Sequence, residues 1–143
     1  MNTNSQKIPT WFWIVSIALL LWNIMGIMNF LGQVNMSQEA IDALSETQKS
    51  LIVNRPSWVN IAFGLAVFAG TAGSIALLLK KKIAHGLFMA SLVGVALQFG
   101  HGIASSPAEV FTPDVIGMTV TIITVAFLAI WFSRNAFKKG WLK

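Results

Sequence analysis

The sequence predicts an all-α integral membrane protein: a four-helix up-down bundle with both termini cytoplasmic and a short amphipathic helix on its outer face. Three observations carry this expectation. Apolar runs near 11–33, 58–79, 83–104 and 113–133 contain no Asp, Glu, Lys or Arg apart from Asp114. The triplet Lys80-Lys81-Lys82 divides the second run from the third, and adjacent cations cannot remain in lipid, so the chain must surface there and turn back. The charges also sort by side, as counted below.

Each run is about twenty residues, and at about 1.5 Å per residue that crosses a hydrocarbon core about 30 Å thick. Inside lipid every backbone polar group must be paired within its own segment, so the runs are helices. With 55% hydrophobic and 10% charged residues, the chain has more apolar side chain than a soluble interior of its 143 residues could hold. Four spans in so short a chain make one membrane domain over 1–143.

Residues 1–10 are polar, with Lys7 the one charged side chain, and Pro9 precedes the first helix. Trp11, Phe12 and Trp13 form an interfacial anchor. The first run exceeds the about 7–15 residues of a signal h-region, and Gly32-Gln33-Val34-Asn35 makes a poor cleavage site, so it is expected to stay as a span. Ser37 can cap a short helix with Glu39, Asp42 and Glu46 early and Lys49 late, an order that suits the helix dipole. Ile41, Leu44, Leu51 and Ile52 share one face of it, which fits a helix lying on the membrane surface; a solvated loop with transient helix is the alternative.

Pro56 fits the first turn of the second span, and Trp58 marks its interface. Ser105-Ser106-Pro107 ends the third span, and Thr112-Pro113-Asp114 reads as N-cap, N1 proline and first-turn acid for the fourth. Beyond Trp131-Phe132, the residues Arg134, Lys138, Lys139, Trp141 and Lys143 form a basic aromatic tail facing anionic headgroups.

With the N-terminus inside, the inner segments hold Lys7, Lys80, Lys81, Lys82, Arg134, Lys138, Lys139 and Lys143, and the outer segments hold only Lys49 and Arg55. All five acids, Glu39, Asp42, Glu46, Glu109 and Asp114, fall outside. This positive-inside pattern accounts for the net charge of +5 by attraction to lipid, so no nucleic-acid partner is expected.

Small residues recur at helical spacing. Ala62, Ala66, Gly70 and Ser74 lie four apart in the second span, Gly86, Ala90 and Gly94 in the third, and Gly117 and Thr121 in the fourth. Such faces let helix backbones approach, either within the bundle or against a second copy or larger membrane complex. The third span also carries a polar stripe, Ser91, Gly94, Gln98, His101 and Ser105, in steps of three and four. In the first span Asn23, Gly26 and Gln33 share an arc with Asn29 at its edge, and Asn60 lies in the outer end of the second.

Amides and an imidazole inside a membrane are costly unless paired or hydrated. Either they bond across helices and fix the register, or Asn23, Asn29, Asn60, Gln98 and His101 line an outward-facing cavity for a small uncharged polar solute, with Phe30 and Phe99 beside it. In the second case protonation of His101 could gate the cavity. The span cores hold no carboxylate for a proton relay, His85 and His101 lie too far apart to share a metal, and the chain has no cysteine. Neither catalysis nor a cofactor is expected.

Several stretches carry a resemblance. Trp22-Asn23 with Gly26 and Asn29-Phe30 is one, and Arg55-Pro56-Ser57-Trp58 is another. Gln98-Phe99-Gly100-His101 followed by Ala108-Glu109-Val110-Phe111, and the closing Gly140-Trp141, complete the set. Together they resemble a group of small four-span bacterial inner-membrane proteins of unestablished activity, loosely labelled "sugar transporter". The likeness covers nearly the whole chain. It implies a bacterial inner-membrane location and solute binding. Four helices would have to associate to alternate access as paired-repeat transporters do. The other class of function is an accessory subunit packed against a larger membrane complex.

Overall fold

Helix α1 begins where Pro9 fixes an extended backbone and accepts the first turn's bond from Phe12, and it runs Thr10–Val34 in the computed structural model, which describes residues 7–143. The polar segment expected at 1–6 lies outside the described residues. Asn35 ends α1 by donating both its backbone and its side-chain amide to Leu31 O. The other apolar helices are α4 (Ser57–Leu78), α5 (Ile83–Ser105) and α6 (Pro113–Lys138). All four are long and apolar enough to cross a membrane, and the described residues are otherwise short helices and turns.

The connection between α1 and α4 holds two short helices where the sequence predicts one: α2 (Gln38–Asp42) and α3 (Glu46–Val53). Ser37 caps α2 through Ala40 N, as expected. The break comes from Ser45, whose hydroxyl accepts from Gln48 N and donates to Gln48 Oε1, in a Ser-x-x-Gln capping pattern that starts a new helix. Asp42 and Lys49 bridge the break at 2.7 Å. The hydrogen bond from Lys49 holds the Asp42 carboxyl below its usual range and raises the Lys49 ammonium in return. The Asp42 contribution is therefore present above 3.8 and lost as pH falls through the lowered value, and that of Lys49 is present below 10.5 and lost above the raised one. Between these limits the bridge is insensitive to pH. Ile41, Leu44, Leu51 and Ile52 are half-buried, as are Thr47 and Lys49, so the sheltered side of this segment is apolar only in part.

Pro56 is the N-cap of α4, one residue earlier than the sequence suggests. Thr112 caps α6 through Val115 N, with Pro113 in the first turn. A 3₁₀ turn, Ala108–Val110, precedes it. The fourth helix continues five residues past its apolar run, because Ala136 is fully buried and holds the last turn against the protein.

α4 is the central helix. Ala62, Ala66, Gly70 and Ser74 are all buried, with α1 packed on one side and α5 on the other. The closest approach is at Gly94, where an added Cβ would lie 2.6 Å from Ala62 O and 2.7 Å from Ala66 N. Polar groups tie the same helices: Ser91 Oγ donates to Ala66 O at 2.6 Å, and Asn23 Nδ2 donates to Leu19 O and Ser74 Oγ. The small-residue face expected on α5 is only partly used. Gly94 is buried against α4 and Ala90 is half-buried, but Gly86 is exposed with nothing within 4 Å of its Cβ position. At that end of α5 Ala84 and Phe88 are buried instead, with the Phe88 ring against Gly73 of α4. Gly117 and Thr121 of α6 are also exposed.

Both ends of the fold are defined by contacts. Arg55 donates to Gln33 Oε1, and Trp58 meets His101 edge-on at 5.2 Å, so the end of α1, the start of α4 and the end of α5 lie together with the acidic connections. At the opposite, basic end, Phe12 stacks on Phe132 at 5.6 Å and meets Trp141 at 5.7 Å. The tail expected to extend along the headgroups instead folds back. Trp141 and Leu142 are buried, and Lys143 exchanges backbone bonds with the lysine turn, N–H to Lys80 O and C=O from Lys82 N–H.

Two matching helix ends make this clamp. After α6, Gly140 in the left-handed region gives the bonds Trp141 N to Ala136 O and Gly140 N to Phe137 O. After α4, Lys81 N bonds Ala76 O and Lys80 N bonds Leu77 O. Both are Schellman motifs, but the second places Lys80 at φ 55, where a Cβ is strained by about 1 kcal/mol. Lys80→Gly should therefore raise stability by about 1 kcal/mol. Thermal unfolding in detergent measures it, and an unchanged or lower midpoint would mean that the strain is not there.

Candidate functional site

α1 packs on α4, α4 on α5 and α5 on α6, but no comparable packing joins α1 to α6. Their buried residues explain the gap. In α1 they are Phe12, Ser16 and Leu19, and in α6 they are Ala129, Phe132, Ser133 and Ala136, all towards the basic end. There the aromatic contacts close the seam, with Lys139 Nζ 4.9 Å over the Trp141 ring. Towards the acidic end the two helices stand apart.

The space between them is a cleft of about 360 Å³ lined by all four spans. That lies within the about 300–1,000 Å³ of small-molecule sites. α1 contributes Trp22, Asn23, Met25, Gly26, Asn29 and Gln33 as one wall, and α6 contributes Met118, Ile122, Val125, Ala126 and Ala129 as the other. Phe63, Ala66 and Val67 of α4 and Phe88, Ser91, Val95, Gln98 and Phe99 of α5 make the floor. No lining side chain is charged. A shallower groove edged by Met25, Met28 and Met36 runs on from the rim along α1.

Of the residues the sequence nominates, Asn23, Asn29 and Gln98 line the cleft. Asn60 and His101 do not. His101 turns towards α4, where its ring meets Trp58 and its Nδ1 lies 3.2 Å from Ser105 Oγ. The stripe on α5 is wide enough to be shared between two neighbours, so Gly94 and His101 go to α4 and Gln98 faces the cleft. Phe30 is also diverted, packing on Phe63 and Phe68. Gln33 and Ser91 lie on the arcs already recognised. The α6 wall carries no polar signal and is visible only once α6 is placed.

The polar groups of the cleft fall into two sets. In its deeper part both donors are committed within the bundle: Asn23 Nδ2 donates to Leu19 O and Ser74 Oγ, and Ser91 Oγ donates to Ala66 O, while Asn23 Oδ1 lies against Gly70 and receives no hydrogen bond among the described residues. Nearer the acidic end, Asn29 Nδ2 bonds Met25 O and Gln33 Oε1 accepts from Arg55, leaving one end of each amide uncommitted. Gln98 has no side-chain partner among the described residues and is half-exposed. The cleft can therefore donate and accept hydrogen bonds at its rim without adding net charge. Among the described residues no three of His, Asp and Glu gather as a metal site. No family model, curated protein or solved structure matches the chain.

Proposed function

We propose that this is a multi-pass protein of the bacterial inner membrane, an up-down bundle with both termini cytoplasmic, that binds a small uncharged polar solute in the cleft between α1 and α6. The carrying observation is that the rim presents amide groups of Asn29, Gln33 and Gln98 with unused hydrogen-bonding capacity and no charged lining residue. The distribution of lysines supports the orientation, since the clamp joining Lys80, Lys82 and Lys143 gathers cations at the closed end. The rim then faces outward. The sugar suggested by the resemblance is one member of the uncharged class.

Gln98→Leu tests this. It removes a rim amide that supports nothing else in the fold, so it should weaken binding about tenfold, the worth of one hydrogen bond at the high end of its range. Calorimetry on protein in nanodiscs, with a panel of uncharged polyols and sugars and their acyl derivatives, gives the readout. A second reading, an accessory subunit of a larger complex, is favoured by the exposed pair Gly117 and Thr121 on α6, four residues apart. If no member of the panel binds in a manner sensitive to Gln98, that second reading replaces the first.

A further inference from the structure

The cleft has a direction, and the direction says more about its ligand. From Trp22 to Gln33 it follows eleven residues of α1, about 17 Å at helical rise, close to half of an about 30 Å hydrocarbon core. Its deep part is mostly apolar. Trp22, Phe88, Val125 and Ala129 contribute carbon surface, and the two polar donors there, Asn23 Nδ2 and Ser91 Oγ, are already bonded to their own bundle. Its rim holds the amides with free capacity. One site thus grades from hydrocarbon to hydrogen-bonding over the depth of one leaflet.

The flank of the site is open in the same direction. α1 and α6 are not packed together beside it, and Met25 and Met118, which line opposite walls, are 56% and 59% exposed. In a bilayer that seam faces lipid tails. A fully hydrated solute seated there would have hydrocarbon along one side, and its deeper polar groups would find few partners beyond Asn23 Oδ1. A hydrocarbon chain meets neither penalty. It gains little from leaving one apolar surroundings for another, so the chain sets depth and the rim amides set selection.

Building on the solute-binding reading, we propose that the ligand is a single-chain amphiphile with an uncharged hydrogen-bonding head, taken sideways from the outer leaflet through the seam between α1 and α6. The chain lies along Trp22, Phe88 and Val125, and the head meets Asn29, Gln33 and Gln98. A doubly chained lipid is too wide for a cleft of about 360 Å³ that runs the depth of a leaflet. A cationic head would meet amides and no counter-charge among the lining residues, and the cation nearest an anionic head, Arg55, already donates to Gln33 Oε1.

The probe is a monoacylglycerol with a photoreactive diazirine in mid-chain, added to protein in nanodiscs, with labelled peptides mapped. The expected result is labelling concentrated around Phe88, Val95 and Val125, reduced several-fold by unlabelled monoacylglycerol and not by glycerol. Val125→Trp, which fills the deep part, should lower that labelling several-fold. If that variant does not fold, competition on the unaltered protein decides alone. Labelling spread over the exposed faces of all spans, with no response to competitor, overturns the proposal. So does stronger competition by a fatty acid, by a two-chain lipid, or a cross-linked dimer through the seam that blocks labelling. If glycerol or a free sugar binds in a Gln98-dependent way and the acylated form gains nothing, this inference falls while solute binding stands. If nothing uncharged binds, both fall.

Discussion

Gly94→Ala is expected to lower stability by about 3 kcal/mol, the upper end of what one added methyl costs in a packed interior. The magnitude follows from what the methyl would strike. Ala62 O, Ala66 N and Ala66 Cα all lie within 3.0 Å of the Cβ position, and these are main-chain atoms of a helix that cannot swing aside. Relief requires α4 and α5 to separate. Separation would also stretch the bond from Ser91 Oγ to Ala66 O, one helical turn away. Gly86→Ala is the control, because nothing lies within 4 Å of its Cβ position. There the usual preference of a helix for Ala over Gly should give a gain of up to about 1 kcal/mol. Chemical unfolding in mixed micelles measures both. Equal effects of the same sign would mean that α4 and α5 do not meet at Gly94.

Phe12→Ala is expected to cost about 3 kcal/mol, in the range for deleting a buried aromatic ring. Phe12 is fully buried and touches Trp13, Phe132 and Trp141, so it joins the start of α1 to the end of α6 and to the folded-back C-terminus. These contacts close the seam at the basic end. Losing them should loosen α1 from α6 as well as lower the unfolding midpoint. Trp131→Ala is the comparison: Trp131, next to Phe132 on α6, is 60% exposed and should change stability by no more than about 0.5 kcal/mol. If both substitutions cost the same, the aromatic cluster is not what holds the basic end.

The spans were legible because lipid imposes a length and forbids charge, and both are written residue by residue. Thr112 and Pro113 were legible as a helix start for a similar reason, since capping is local chemistry. Ser45 was just as local, and its spacing to Gln48 was the available signal for the break between α2 and α3. The return of Trp141 and Leu142 to the core was not legible in the same way. Among seven cations in the final stretch and the lysine turn, an aromatic residue reads as an interfacial anchor, and only the pairing of Lys143 with Lys80 and Lys82 reverses that. Gly140 was the one hint.

The candidate site was half legible for a geometric reason. Periodicity tells which residues share a helix face but not which neighbour that face meets. Asn23, Asn29 and Gln98 were found because they face the gap, whereas Asn60 and His101 lie off it. The α6 wall, Met118, Ile122 and Val125, looks like any lipid-facing surface until the seam is seen beside it.

Cysteine accessibility in intact cells and in inverted membrane vesicles measures the seam and its orientation together, and the natural chain contributes no thiol of its own. Single cysteines would replace Gln98 at the rim, Val125 in the deep part and Val120 on the exposed lipid side, and an impermeant maleimide would be added from one side at a time. A cleft whose rim opens outward predicts fast labelling at 98 from outside only, with 125 and 120 slow from either side. Labelling of 98 from the cytoplasmic side, or no reaction at 98 from either, would contradict it.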